Sequence, residues 1–120
     1  MRLPPGTLPG RRVKPTFEIG HADVPEGVDK NMIRRYVRQK RAEITYCYEK
    51  ELAVRPGLSG TATTAFTIDD NGRVITVKAG GLGVTTVERC VESVIKSIQF
   101  PKGQTINVTA YPFTFHPVGA

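Results

Sequence analysis

The stretch LSGTATTAFTIDDNGRVITVKA, Leu58 to Ala79, decides how this chain of 120 residues is read. From Leu58 to Ile68 the pattern has a period of two, with Ala62, Thr64, Phe66 and Ile68 on one face. A threonine-rich run with that period is a half-buried strand. Asp69-Asp70-Asn71-Gly72 follows as a tight turn, because Asn and Gly accept positive φ. The return strand runs from Arg73 to about Ala79, where Gly80-Gly81-Leu82-Gly83 breaks it. The middle of the chain is therefore a β-hairpin.

Helical patterns flank it on both sides. Upstream, Ile33, Tyr36, Val37, Ile44, Cys47, Tyr48 and Leu52 recur at helical spacing behind Asp29, a good N-cap. The spacing predicts one helix of about 24 residues, stopped by Arg55-Pro56-Gly57. Downstream, Val87, Cys90, Val91, Val94, Ile95 and Ile98 form a second stripe. Thr85 with Glu88 reads as a capping box, and Phe100-Pro101-Lys102-Gly103 ends that helix. The last strand spans Thr105 to Phe115. Its apolar positions switch parity near Ala110, from Ile106 and Val108 to Tyr111, Phe113 and Phe115, which predicts a β-bulge. Pro112 lacks an N–H, which predicts a place at the sheet edge. The fold class expected is α+β: a helix-strand-strand-helix-strand order giving a three-stranded antiparallel sheet with two helices on one face.

Residues 1–28 hold Pro4, Pro5, Pro9, Pro15 and Pro25 with several glycines, and read as a semi-extended linker. Within it, Thr16-Phe17-Glu18-Ile19 carries a weak strand signal and could pair as an added strand or lie on the domain. The domain proper is expected over 29–116, with 117–120 as a tail. No apolar run is long enough to span a membrane, and no apolar signal region follows the N-terminus. If the domain is exported, its signal or membrane anchor is expected upstream.

The chain carries 17 Lys and Arg against 11 Asp and Glu, a net charge of +6. Much of the excess falls in the first helix, through Lys30, Arg34, Arg35, Arg38, Lys40 and Arg41. A basic helix can meet nucleic acid or an anionic surface, but it is read here as a solvated face. His21 and His116 have no partners near in sequence, and with Cys47 and Cys90 they match no zinc spacing. Asp69 and Asp70 belong to a turn. No catalytic residue, metal or cofactor is expected, and the chain reads as non-enzymatic. Cys47 and Cys90 face one core without a Cys-x-x-Cys motif, so they are either inert buried thiols or a staple. The staple is the expectation, and with it an oxidising compartment. Gly80 to Gly83 formally matches Gly-x-x-Gly, the loop that clamps a nucleic-acid backbone in KH domains, but here it joins a strand to a helix.

The element order resembles that of the TonB C-terminal domain. Phe66 to Val74, Phe100-Pro101 and the aromatic last strand match it in kind. Ile33-Arg34-Arg35, Tyr46 to Leu52, Val87-Glu88-Arg89-Cys90 and Tyr111-Pro112-Phe113 resemble more closely the AgmX/PglI C-terminal domains of myxobacterial envelope and gliding-motility proteins. The resemblance covers roughly residues 29–116. It implies a periplasmic domain of an inner-membrane-anchored protein. Such a domain would couple a proton-motive-force-driven complex to outer-membrane or periplasmic partners. The mechanism implied is β-strand addition, in which an extended peptide segment of a partner pairs along the last strand. The partner-binding residues would be Ile106, Asn107, Val108, Thr109, Ala110, Tyr111 and Phe113. A homodimer through the same edge is a further reading. The alternative from another class is a KH-like nucleic-acid module using the basic helix; no nucleic acid is expected on the first reading.

Overall fold

In the computed structural model, which describes residues 15–117, seven elements follow one another. Strand β1 (Thr16–Ile19) precedes helices α1 (Lys30–Arg38) and α2 (Arg41–Leu52). The hairpin strands β2 (Gly60–Ile68) and β3 (Val74–Gly80) come next, then helix α3 (Thr85–Lys96) and strand β4 (Ile106–His116). The strands form one antiparallel sheet in the order β1-β4-β2-β3. The class is α+β, but among the described residues four strands and three helices replace the expected three and two. Residues 1–14 of the expected linker and 118–120 of the expected tail lie outside the described residues.

The fourth strand comes from the stretch whose composition reads as linker. Thr16 to Ile19 pair antiparallel with His116 to Phe113. Phe17 and Ile19 point inward, and Phe17 sits edge-on to Phe113 and stacked on Phe115, with centroids 5.8 and 5.7 Å away. Arg41 covers the ring from α2, its guanidinium 4.9 Å from the centroid and donating to the Phe17 carbonyl at 2.9 Å. The folded unit thus reaches back past residue 29.

That strand corrects the place of β4, which lies between β1 and β2 rather than at an edge. Pro112 does turn its missing N–H away from β2, but a neighbour stands there. Gly20 N–H donates to the Pro112 carbonyl at 2.8 Å, and a Cβ on Gly20 would lie 2.7 Å from Pro112 Cγ. The proline is accommodated because its neighbour has no side chain. Further along, Asp23 N–H donates to Ala110 O at 2.8 Å, and Thr109 N–H donates to Asp23 O at 2.9 Å. Two residues of β4 oppose one. On the other side Thr64 faces Tyr111 while Phe66 faces Val108, so β4 carries one extra residue. This is the bulge that the parity change predicts, and burial switches with it.

The expected long helix is broken at Gln39–Lys40. Lys40 takes φ −101°, ψ 13°, and its N–H bonds back to Val37 O in a tighter turn. Residues 38–43 offer only Ala42 as an apolar group, so nothing pins that turn to the core. Ile44 follows Val37 by two helical turns, so a broken and an unbroken helix leave the same apolar pattern. Asp29 caps α1 as expected, accepting from Asn31 and Met32 N–H at 2.9 and 3.2 Å.

One face of the sheet is buried under the helices, and the core runs through Tyr48, Phe66, Phe100, Tyr111, Phe113 and Phe115. Cys47 of α2 and Cys90 of α3 are joined by a disulfide, with Cα atoms 5.7 Å apart. In the hairpin turn only Gly72 has positive φ, at 85°; Asn71 does not, because the Asp69 carboxylate holds the Asn71 and Arg73 N–H groups at 2.9 Å. Gly72 also packs against backbone: a Cβ there would fall 2.0 Å from the Phe100 carbonyl oxygen.

Two outcomes are expected. Cys47→Ser should lower the unfolding free energy by up to about 4 kcal/mol, the entropic ceiling for a loop of this length. Urea melts of the two forms check it, with intact mass before and after reduction confirming the bond in the parent. Gly72→Ala should cost about 2 kcal/mol or more, from left-handed backbone together with the Phe100 clash, in the same melts.

Candidate functional site

The residues expected to meet a partner divide by their place in β4. Ile106, Val108, Tyr111 and Phe113 are buried in the core. Asn107 and Thr109 are exposed and Ala110 is half-buried. The Asn107 side-chain oxygen accepts from Thr67 Oγ1 at 3.0 Å, while the Thr109 hydroxyl donates to Asp23 O at 3.1 Å. Alternation of antiparallel pairing turns the backbone of Asn107 away from β2 and that of Ile106 and Val108 toward it. With Thr109, Ala110 and Pro112 engaged by residues 20–23, little of this edge is open.

The opposite edge, that of β3, has a different character. Ala79 N–H donates to Glu92 Oε2 at 2.7 Å, and Ala79 O accepts from the Arg89 guanidinium at 2.7 Å. Arg89 and Glu92 are themselves paired at 3.0 Å. Two side chains of α3 thus stand where a neighbouring strand would be. By the same alternation Val77 also turns its N–H and C=O outward, and no such side chain meets them among the described residues. Beside it lies an open groove of about 630 Å³, walled by Thr76 and Val77 on one side and Arg89, Glu92, Ser93 and Lys96 on the other. Ile75, the extra residue of a second bulge, is half exposed next to it.

The loop before α3 is closed by its own carboxylate. Glu88 is nearly buried, and its Oε2 accepts from Leu82 N–H at 2.9 Å and Gly83 N–H at 3.0 Å. This corrects the capping box: Val84 is the N-cap, Thr85 is already helical, and Glu88 reaches past both. The amides that a KH-like clamp would turn to a phosphate are occupied from within the chain. His116 Nε2 lies 3.8 Å from Glu18 Oε2 across β1 and β4. The Tyr48 hydroxyl donates to Leu58 O, and burial raises its pKa. Burial also raises that of Tyr111, against the pull of Arg34 and Arg38.

Fold and edges define a disulfide-stapled α+β domain with one sheet edge covered by its own N-terminal segment and the other partly open beside a helix. Over 90 residues, 74% of this chain, it is 32% identical to the protein of Myxococcus xanthus (strain DK1622) named Tyrosine-protein kinase MasK. Those residues span 14% of that protein's length. No family model and no solved structure matches the chain. The likeness agrees with the myxobacterial part of the resemblance and does not extend to a TonB-like fold. It overturns the expectation that the chain is non-enzymatic, because the protein matched is named as an enzyme.

Sequence reasoning missed Ala79, Arg89 and Glu92 as a unit. The available signal was an Arg and a Glu three apart on a helix that follows a glycine-rich break, which ordinarily marks only a solvated pair. Glu88→Ala should destabilise the domain by about 1–3 kcal/mol by leaving two loop amides unpaired. Thermal or urea unfolding measures this, and faster amide exchange at Leu82 and Gly83 should accompany it.

Proposed function

We propose that this domain is a peptide-gripping module of a longer cell-envelope protein, working in the periplasm by β-strand addition. The observation that carries the reading is the outer edge of β3. Val77 offers a donor and an acceptor to an added strand, and the adjoining groove against α3 receives its side chains. Ala79 is held by Arg89 and Glu92 in the absence of a peptide. An incoming strand would take over those bonds, so the two charges shield the edge from indiscriminate pairing. Main-chain bonds supply the grip, and the charged and hydroxyl groups of α3 supply the choice of peptide.

The disulfide supports an oxidising compartment. The resemblance to TonB C-terminal and AgmX/PglI domains supports coupling of an inner-membrane complex to outer-membrane or periplasmic partners, in gliding motility or envelope transport. In a parent with a kinase domain, of the sort the relative's name describes, ATP chemistry belongs in the cytoplasm. The stapled module would then stand across the membrane from it, as the end that meets the partner.

A second reading keeps the partner at β4. Residues 16–23 already lie on that strand as an added segment, anchored by Phe17 and Ile19. A partner segment, or the same segment of a second copy, would replace them. It would bond to Thr109, Ala110 and Pro112 and pack beside Tyr111 and Phe113, with Asn107 extending the contact; Ile106 and Val108 would take part through β2 alone.

The test begins with peptides selected from a displayed library on the oxidised domain. Amide shifts should centre on Thr76 to Lys78 and on α3, and Val77→Pro should fold normally yet lose binding. Shifts along 107–116, with tighter binding after deletion of residues 1–23, would move the site to β4. Binding indifferent to both changes would end the strand-addition reading.

A further inference from the structure

A second site lies away from the β3 edge, between α1 and the segment that covers β4. There a cavity of about 260 Å³ is lined by Gly20, His21, Lys30, Asn31, Arg34 and Tyr111, among others. It is smaller than the roughly 300–1,000 Å³ of sites for drug-sized ligands, and suits a small group. Its wall is cationic. Lys30 and Arg34 sit four residues apart on one face of α1, and Arg38 continues the row. Among the described residues, the Lys and Arg side chains in ion pairs are Lys40, Arg55 and Arg89, so none of these three cations has a carboxylate partner. Asp29, the acid nearest in sequence, is committed to the N–H groups of Asn31 and Met32.

Tyr111 closes the cavity from the sheet side. The residue is 1% exposed, yet its hydroxyl has no hydrogen-bond partner among the described residues. A buried hydroxyl left unpaired costs about 1–3 kcal/mol, and such groups ordinarily find a water or a ligand. Burial raises the Tyr111 pKa, and the charges of Arg34 and Arg38 pull against it. An unpaired buried donor, an amide side chain and two uncompensated cations therefore converge on one small space.

We propose that this cavity binds a small oxyanion, phosphate above all, with Lys30 and Arg34 as counter-charges and the Tyr111 hydroxyl and Asn31 side chain as donors. Arginine's fork and several donors at different heights suit a tetrahedral anion better than a planar carboxylate. The phosphate would be free or carried on a larger molecule; the recognising chemistry is the same. The site is independent of strand addition at β3; strand addition at β4, which displaces residues 20–22, would remove one of its walls.

The test is titration of the isotope-labelled, oxidised full chain with inorganic phosphate at constant ionic strength, followed by amide shifts. Gly20, Ala22, Asn31 and Arg34 should shift together and saturate, and acetate should bind more weakly. Arg34→Gln should weaken binding about tenfold, and Tyr111→Phe by about three- to tenfold, as expected for charge-assisted hydrogen bonds. Lys102→Gln, on a remote exposed loop, should change nothing. Tighter saturation by phenyl phosphate than by the free ion would assign the phosphate to a larger molecule, and the reverse would assign it to free phosphate. Tyr111→Phe removes no hydrogen bond among the described residues and should melt as the parent does. If it does not, the half-exposed Arg34→Gln decides alone. Shifts that fail to saturate, that spread evenly over the basic surface, or that survive Arg34→Gln would overturn the proposal.

Discussion

Strand β4 must satisfy its backbone on both sides, and the rest of the molecule is arranged around how it does so. On one side β2 runs its full length. On the other, residues 16–23 supply the missing partner, and Gly20 makes room for a proline that would otherwise belong at an open edge. The bulge at Thr109–Ala110 lets β4 keep apolar side chains inward on both halves of its length. Without the extra residue, either Ile106 and Val108 or the three aromatics would face solvent. The aromatic cluster in turn holds Phe17, so covering the edge and completing the core are one event.

The same logic explains the asymmetry of the two edges. The β4 side is covered by chain, which adds apolar burial as well as hydrogen bonds. The β3 side is covered at Ala79 by two charged side chains, which add hydrogen bonds but no strand. Exposed strand edges invite unspecific pairing, and charge beside them is a common defence. A cover made of two side chains rather than of chain is why the proposed reading is set at β3 rather than β4.

The disulfide fixes the other half of the structure. It ties α2 to α3, the helices on either side of the hairpin, and so sets how α3 leans on β3. The walls of the groove beside Val77 depend on that placement.

The hairpin, the two apolar stripes, the Asp29 cap and the bulge were legible in the sequence, because each is written in local periodicity or in one residue's backbone chemistry. The pairing of Cys47 with Cys90 was legible too, since both fall on core-facing stripes. The break at Lys40 was not, because Val37 and Ile44 keep helical phase across it. Strand β1 was legible only as a weak signal, because four residues among prolines and glycines carry too short a period, and what orders them is the aromatic pocket on β4. Glu88 on the loop amides and Arg89 with Glu92 on Ala79 are side-chain to backbone bonds whose partners only the folded chain brings together. The Tyr111 cavity belongs with them: its cations stood out along one helix face, but the buried hydroxyl opposite them comes from a strand some eighty residues away, placed there by tertiary packing alone.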